Sequence, residues 1–229
     1  MKTYQTYFSK LKIVMLVLAA SSFMLHSNVT AQKAEITPFY GYQFNGKATG
    51  YNGDLNIRDA SSYGIMLDVN VKNGMQVELL YSRSDTRADF VQYRGPTYKL
   101  SDMSVNYFQL GFLRTVKKTK KVEMHGIFSL GASLFSPTGT PYDEIPEDEV
   151  TGTYYYEDWW FFSITAGGGA KIWLSKKIGI RLEGRLMMPI TWAGGGFMVS
   201  SGGGGFYFGG GSAILQASLT AGIIVALGD

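Results

Sequence analysis

From residue 35 onward the chain reads as eight stretches of alternating polar and apolar residues, and the links between them run long, short, long, short. The links after the first, third, fifth and seventh stretches take about 16 to 23 residues, and those after the second, fourth and sixth about three to six. A period of two gives each stretch two unlike faces, which is the pattern of a β-strand. Short links join antiparallel neighbours through tight hairpins. An even number of strands joined in this way puts both chain ends and every short link on one side, and every long link on the other. Nothing beyond residue 31 is apolar for about 18 residues without a break. A form of this chain that crosses a membrane therefore has to be a closed barrel, because only helices and closed barrels satisfy their backbone groups in lipid.

The spacing predicts strands over 35–44, 62–71, 75–84, 103–115, 122–135, 159–174, 179–192 and 213–227. In the first, Ile36, Pro38, Tyr40, Tyr42 and Phe44 share a face. In the second, Tyr63, Ile65, Leu67, Val69 and Val71 oppose Gly64, Asp68 and Asn70, and Asn73-Gly74 then signals a tight turn. The third sets Met75, Val77, Leu79 and Tyr81 against Gln76, Glu78 and Ser82. The fourth sets Phe108, Leu110 and Phe112 against Tyr107, Gln109 and Gly111. The fifth opposes Phe128, Leu130, Ala132 and Leu134 to Glu123, His125, Ser129, Gly131 and Ser133. The sixth opposes Phe162, Ile164, Ala166 and Ile172 to Ser163, Thr165, Gly167, Gly169 and Lys171. In the seventh, Ile180, Leu182, Leu186, Met188 and Ile190 alternate with Arg181, Glu183 and Arg185. In the eighth, Leu215, Leu219, Ile223, Val225 and Leu227 alternate with Gln216, Ser218, Thr220 and Gly222.

Alternation leaves open which face meets solvent. A soluble barrel turns its apolar face inward around a ligand, whereas a membrane barrel turns it to lipid. Three features favour lipid. The strands are about ten residues or longer, which suits a tilted span better than a globular strand. The polar face pairs small Gly, Ser and Thr with charges of both signs, as a narrow filled interior requires. Aromatic residues gather near strand ends (Tyr40, Tyr42, Phe44; Tyr154 to Tyr156, Trp159, Trp160; Trp192), as in the girdles of membrane barrels. A soluble, ligand-binding barrel would put Arg181, Glu183 and Arg185 on its outer face.

The first 31 residues read as a secretory signal. Lys2, Lys10 and Lys12 precede an apolar run over 13–24, and Val29 and Ala31 stand before a cleavage point at Gln32. The run is too short for a spanning helix, which needs about 20 residues. This segment holds three of the 21 basic residues and none of the 18 acids, so residues 32–229 are balanced in charge. The balance gives no reason to expect a nucleic-acid partner. The chain has no Cys, which excludes a disulfide framework, a Cys-based metal site and lipidation after the signal.

With these features the chain resembles the small eight-stranded outer-membrane β-barrels, the class of the OmpA transmembrane domain and OmpX. The resemblance spans residues 35–229, and the opening Ile36-Thr37-Pro38-Phe39-Tyr40-Gly41-Tyr42 is similar to a first strand of that class. The chain departs from the class at its end, Leu227-Gly228-Asp229, where many members close on an aromatic residue. The resemblance implies an all-β, eight-stranded, antiparallel up-and-down transmembrane barrel in the outer membrane of a Gram-negative cell, with short turns in the periplasm and long loops outside. Its implied partners are the lipid bilayer and lipopolysaccharide, with extracellular contacts through the loops and a monomeric state. The class includes adhesins, anchors, channels and lipid-modifying enzymes, so the fold leaves the function open.

The interior charges are the best defined candidate site. Glu78, Glu123, Lys171, Arg181, Glu183 and Arg185, joined by Asp68 and His125, are expected to point into the lumen. An eight-stranded barrel encloses a space that side chains can fill, and buried charges must pair. The set then reads as a plug of ion pairs or, alternatively, as the lining of a narrow channel. No catalytic, cofactor-binding or metal residues are assigned. His125 is the single histidine after residue 31, and with Glu123, Ser129 or Ser133 it is the only acid–base candidate. A carboxylate cluster at Asp143, Glu144, Glu147, Asp148, Glu149, Glu157 and Asp158 reads as a solvated acidic loop, with divalent-ion bridging as the alternative. The last long link carries Gly194 to Gly196, Gly202 to Gly205 and Gly209 to Gly211 around Phe197, Phe206, Tyr207 and Phe208. It reads as flexible chain that could also serve as a contact surface.

Overall fold

A computed structural model describes residues 34–49, 53–72, 74–139, 158–190, 197–199, 206–208, 211–212 and 215–227. Residues 1–31, expected to be a secretory signal, lie outside them, as do Asp143 to Glu157 of the acidic link, most of the glycine-rich link, Tyr154 to Tyr156 and Trp192.

Eight strands form a closed ring. They are β1 (Ala34–Phe44), β2 (Ala60–Lys72), β3 (Met75–Gln92), β4 (Thr97–Lys118), β5 (Val122–Pro137), β6 (Trp159–Trp173), β7 (Ile178–Ile190) and β8 (Gln216–Leu227). Each pairs antiparallel with the next, and β8 closes on β1 from Ala34↔Leu227 to Phe44↔Ala217. The ring leaves no free edge among these strands, which is the condition for placing a sheet in lipid. Gly74 has a φ of 74°, the left-handed conformation that the tight link between β2 and β3 demands.

The side chains divide as the alternation requires. Tyr40, Leu67, Leu79, Leu110, Phe128 and Leu219 are exposed on the outer face, while Asp68, Glu78, Gln109, Ser133, Arg181 and Gln216 are buried inside. An apolar exterior around a polar interior inverts the globular pattern and matches a wall that faces lipid. Exposed Tyr40, Tyr42, Phe44, Trp159 and Trp160 lie toward the end that carries the long links.

Three of the long links differ from expectation. The segment near 85–102 is not a loop, because β3 runs on to Gln92, β4 begins at Thr97, and only Tyr93–Pro96 turn. The ladder continues through Val91↔Thr97 with a bulge at Ala88/Asp89. Asp85, Arg87 and Asp89 hide this strand in the sequence. Above the apolar band the outward apolar stripe gives way to charged residues, while Ala88 and Met103 still pack in the interior, so the alternation no longer reads as a lipid-facing strand although the backbone pairing persists. The segment near 45–61 also contains strands, Lys47–Thr49 and Gly53–Ile57, and the second pairs with β3 from Gly53↔Gln92 to Ile57↔Ala88. In the last long link, Phe197–Val199, Phe206–Phe208 and Gly211–Ser212 form a small antiparallel sheet where composition suggested flexible chain.

Candidate functional site in the barrel interior

The interior is filled in three layers. The layer nearest the short links is charged. Its centre is Arg181 on β7, which reaches three carboxylates: Nη1 donates to Asp68 Oδ2 at 2.6 Å, and Nη2 donates to Glu78 Oε2 at 2.5 Å and Glu183 Oε1 at 2.9 Å. Arg185 lies two inward positions further along the same strand, beyond Glu183. It donates to Glu78 Oε1 at 2.7 Å and Glu183 Oε2 at 2.8 Å. Lys171 on β6 donates to Glu35 Oε2 at 2.5 Å, Gln76 Oε1 at 2.6 Å and Asp68 Oδ2 at 3.3 Å. His125 Nε2 meets Glu183 Oε1 at 3.0 Å. All of these residues are buried.

The arrangement follows from the register. Asp68 is opposite Glu78 across β2 and β3, Glu35 is opposite Asp68, and Lys171 is opposite Arg181 across β6 and β7. Carboxylates thus gather on the β1–β3 wall and cations on the β6–β7 wall. Ion pairs bridge the lumen, and the two arginines use their forked donors to hold several oxygens at once. The layer holds three permanent cations against four carboxylates.

Above this layer lies a belt of neutral polar groups. Gln109 donates to Thr165 Oγ1 at 2.6 Å and Ser163 Oγ at 3.3 Å, and Gln43 donates to Gln216 Oε1 at 3.0 Å. Tyr107 Oη donates to the same Gln216 oxygen at 2.5 Å. The third layer, toward the long links, is apolar: Ile57, Ala88, Met103, Val105, Phe135 and Met187 pack together with Tyr107. Phe161 meets Phe135 edge-on at 5.4 Å between ring centroids.

Of the expected interior residues, the structure brings Asp68, Glu78, His125, Lys171, Arg181, Glu183 and Arg185 into one network. Glu123 does not join it. It sits at the mouth and pairs with Lys118 at 2.5 Å, because alternation fixes the face of a residue and says nothing of its height. Glu35 and Gln76 were missed as network members. Glu35 shares the inward face of β1 with Thr37 and Phe39, so the signal was present in the alternation. His125 makes no hydrogen bond to either serine: Ser129 Oγ and His125 Nδ1 have no protein partner, and Ser133 Oγ donates to the Phe161 carbonyl at 3.5 Å. Of the acidic link, Asp158 is described and accepts a hydrogen bond from Ser136. Among the described residues no group of three metal-ligating side chains is assembled.

Glycines on the inner face of β6 give the network its room. A Cβ on Gly169 would stand 2.2 Å from the Leu182 carbonyl oxygen and 3.0 Å from Glu183 Cα. Gly169→Ala is expected to shift β7 and lower the unfolding free energy by about 1–3 kcal/mol. Urea unfolding of the vesicle-inserted protein would measure this, and an unchanged midpoint would show that the wall yields freely.

Beyond the apolar layer charged pairs reach the solvent, with Asp89 buried among them. Lys47 donates to Asp54 at 2.7 Å, and that hydrogen bond, together with the attraction of the carboxylate, raises the Lys47 pKa above its ordinary value. Arg58 and Arg87 flank Asp89, and Asp85 is held by Arg83 at 2.7 Å and by the Tyr63 hydroxyl at 2.9 Å.

No family model matches the chain, and no curated protein is significantly similar to it. Among solved structures it is similar to the outer membrane protein OprG from Pseudomonas aeruginosa, with a TM-score of 0.51 and 9% identity over 87% of this chain and 97% of that one. It is also similar to Neisserial surface protein A, with a TM-score of 0.49 and 11% identity over 84% of this chain and 96% of that one. The likeness to OprG concerns the fold, which is that of the small outer-membrane β-barrels.

Proposed function

We propose that the protein is a non-enzymatic barrel of a Gram-negative outer membrane, closed through its lumen, which presents its long connections for contact at the cell surface and contributes to envelope integrity. The observation that carries this reading is the filling of the interior. Each ionised side chain of the charged layer bonds to another, and an apolar layer covers them toward the long links. Ions would have to displace both. The paired strands of the 47–57 and 85–102 segments add a structured surface at that end, suited to recognition.

The second reading is a narrow channel for small solutes. It draws support from buried polar atoms that have no protein partner, among them Ser129 Oγ, Gln109 Oε1 and Arg185 Nη1, since such groups are ordinarily satisfied by water. Single-channel recording in a planar bilayer separates the two. The purified protein, shown to be folded by heat-modifiable migration, is expected to stay silent. A steady conductance that changes in Arg181→Ala would sink the closed reading and establish the channel.

A further inference from the structure

The end of the barrel that carries the short links is hollow and basic. Below the charged layer the wall encloses a space of about 810 Å³. Glu35, Asn70 and Gln76 form its floor, and Trp173 lines its side. Lys118 at the end of β4 and Lys120 and Lys121 in the β4–β5 link, with Lys176 and Lys177 from the β6–β7 link, make its rim. The two carboxylates in the lining are already engaged: Glu35 accepts from Lys171 and Gln76, and Glu123 from Lys118. The rim is therefore cationic in excess.

Backbone bonds hold the rim in place. The Trp173 amide donates to the Lys121 carbonyl at 2.8 Å and so ties the two lysine-bearing links together. Leu174 and Ser175 amides both donate to the Ile178 carbonyl at 3.0 Å, and the Ala226 amide donates to the Lys177 carbonyl at 2.8 Å. The lysines thus stand on one arc before any ligand arrives. Next to them the outer face ends in Val116, 79% exposed, and Leu174, 66% exposed. The apolar band stops here, so the rim stands at the depth of phospholipid headgroups. The Trp173 indole N–H, buried in the wall of the hollow, has no acceptor.

We propose that this rim and hollow bind the phosphate of an anionic phospholipid in the leaflet that the short links contact. Ammonium groups are point-charge donors suited to phosphate, and clustered lysines at a bilayer surface draw anionic headgroups. Among the described residues of the opposite end, Lys47, Arg58, Arg83, Arg87, Arg94 and Lys99 are matched in number by Asp54, Asp59, Asp85, Asp89, Asp102 and Asp158. The proposal rests on the membrane placement given above, not on the closed lumen.

Native mass spectrometry of the membrane-purified protein, offered phosphatidylglycerol and phosphatidylcholine, tests it. The wild type should retain phosphatidylglycerol in preference by on the order of tenfold or more. A Lys120→Gln/Lys121→Gln/Lys176→Gln variant should lose that preference while keeping heat-modifiable migration, and Lys47→Gln at the other end should keep it. Equal retention of the two lipids, or an unaffected triple variant, would overturn the proposal. Displacement by millimolar inorganic phosphate would assign the site to soluble phosphate and overturn the lipid assignment. The wild type gives a second reading independent of variants. Its preference should fall with added salt, and a preference that survives about 1 M salt, where screening reaches about 3 Å, would exclude the lysine rim as its cause. A chain that stays in solution without detergent would instead overturn the membrane placement.

Discussion

Arg181→Ala lowers the unfolding free energy of the barrel by about 3–5 kcal/mol, the usual cost of breaking a buried ion network from one side. The side chain supplies donors to Asp68, Glu78 and Glu183 at once. Its loss leaves those carboxylates in a low-dielectric space with only Lys171, Arg185 and His125 beside them. Arg181→Lys should recover part of the loss, since one ammonium cannot reproduce the fork that reaches three partners. Lys118→Met serves as the contrast. It breaks a pair with Glu123 at the mouth, open to solvent on the Lys118 side, and should change stability by less than about 1 kcal/mol. Urea unfolding in lipid vesicles reads all three. Equal, small effects would mean that the interior charges are solvated and that no plug exists.

Tyr107→Ala should cost about 3–5 kcal/mol for a different reason, the removal of a large fully buried ring. Tyr107 is 0% exposed and joins the apolar layer to the polar belt through its bond to Gln216. Truncation opens a cavity and leaves the Gln216 oxygen with Gln43 as its remaining donor. Tyr107→Phe keeps the ring and removes the hydroxyl, so it should cost about 1 kcal/mol. A measured difference between the two variants near zero would show that the hydrogen bond, not the packing, fixes this layer. Since the charged layer is untouched, Tyr107→Ala should still be silent in a planar bilayer.

Much of this interior was legible in the residue order, and its limits are physical. Alternation assigned Arg181, Glu183 and Arg185 to one inward face because lipid on one side and a narrow lumen on the other impose opposite demands at every second residue. It also gave Leu182, Leu186 and Ile223 to the outer face. Where that contrast ends, the signal ends. Asp85 to Asp102 pair as strands above the apolar band, yet charged residues in place of the outward apolar stripe made them look like a loop. Height was equally hidden. Glu123 and His125 share a face and lie two residues apart, but the strands tilt, and only the register around the ring shows that one is at the mouth and the other in the network. The choice of partners, such as Glu35 for Lys171 across 136 positions, needs that register as well.

The closure of β8 on β1 carries a kinetic consequence. Ala34 pairs with Leu227, so the pairing that completes the ring joins the first and the last described residue. Such non-local pairing gives the topology a high contact order and places the entropy of closing the whole chain before its reward. Seven strands made in succession would still present two unpaired borders, at β1 and β7, to any neighbouring chain. Closure of the ring therefore waits for β8, and a factor that shelters both borders until it arrives would act on the step where the loop-closure entropy is lost.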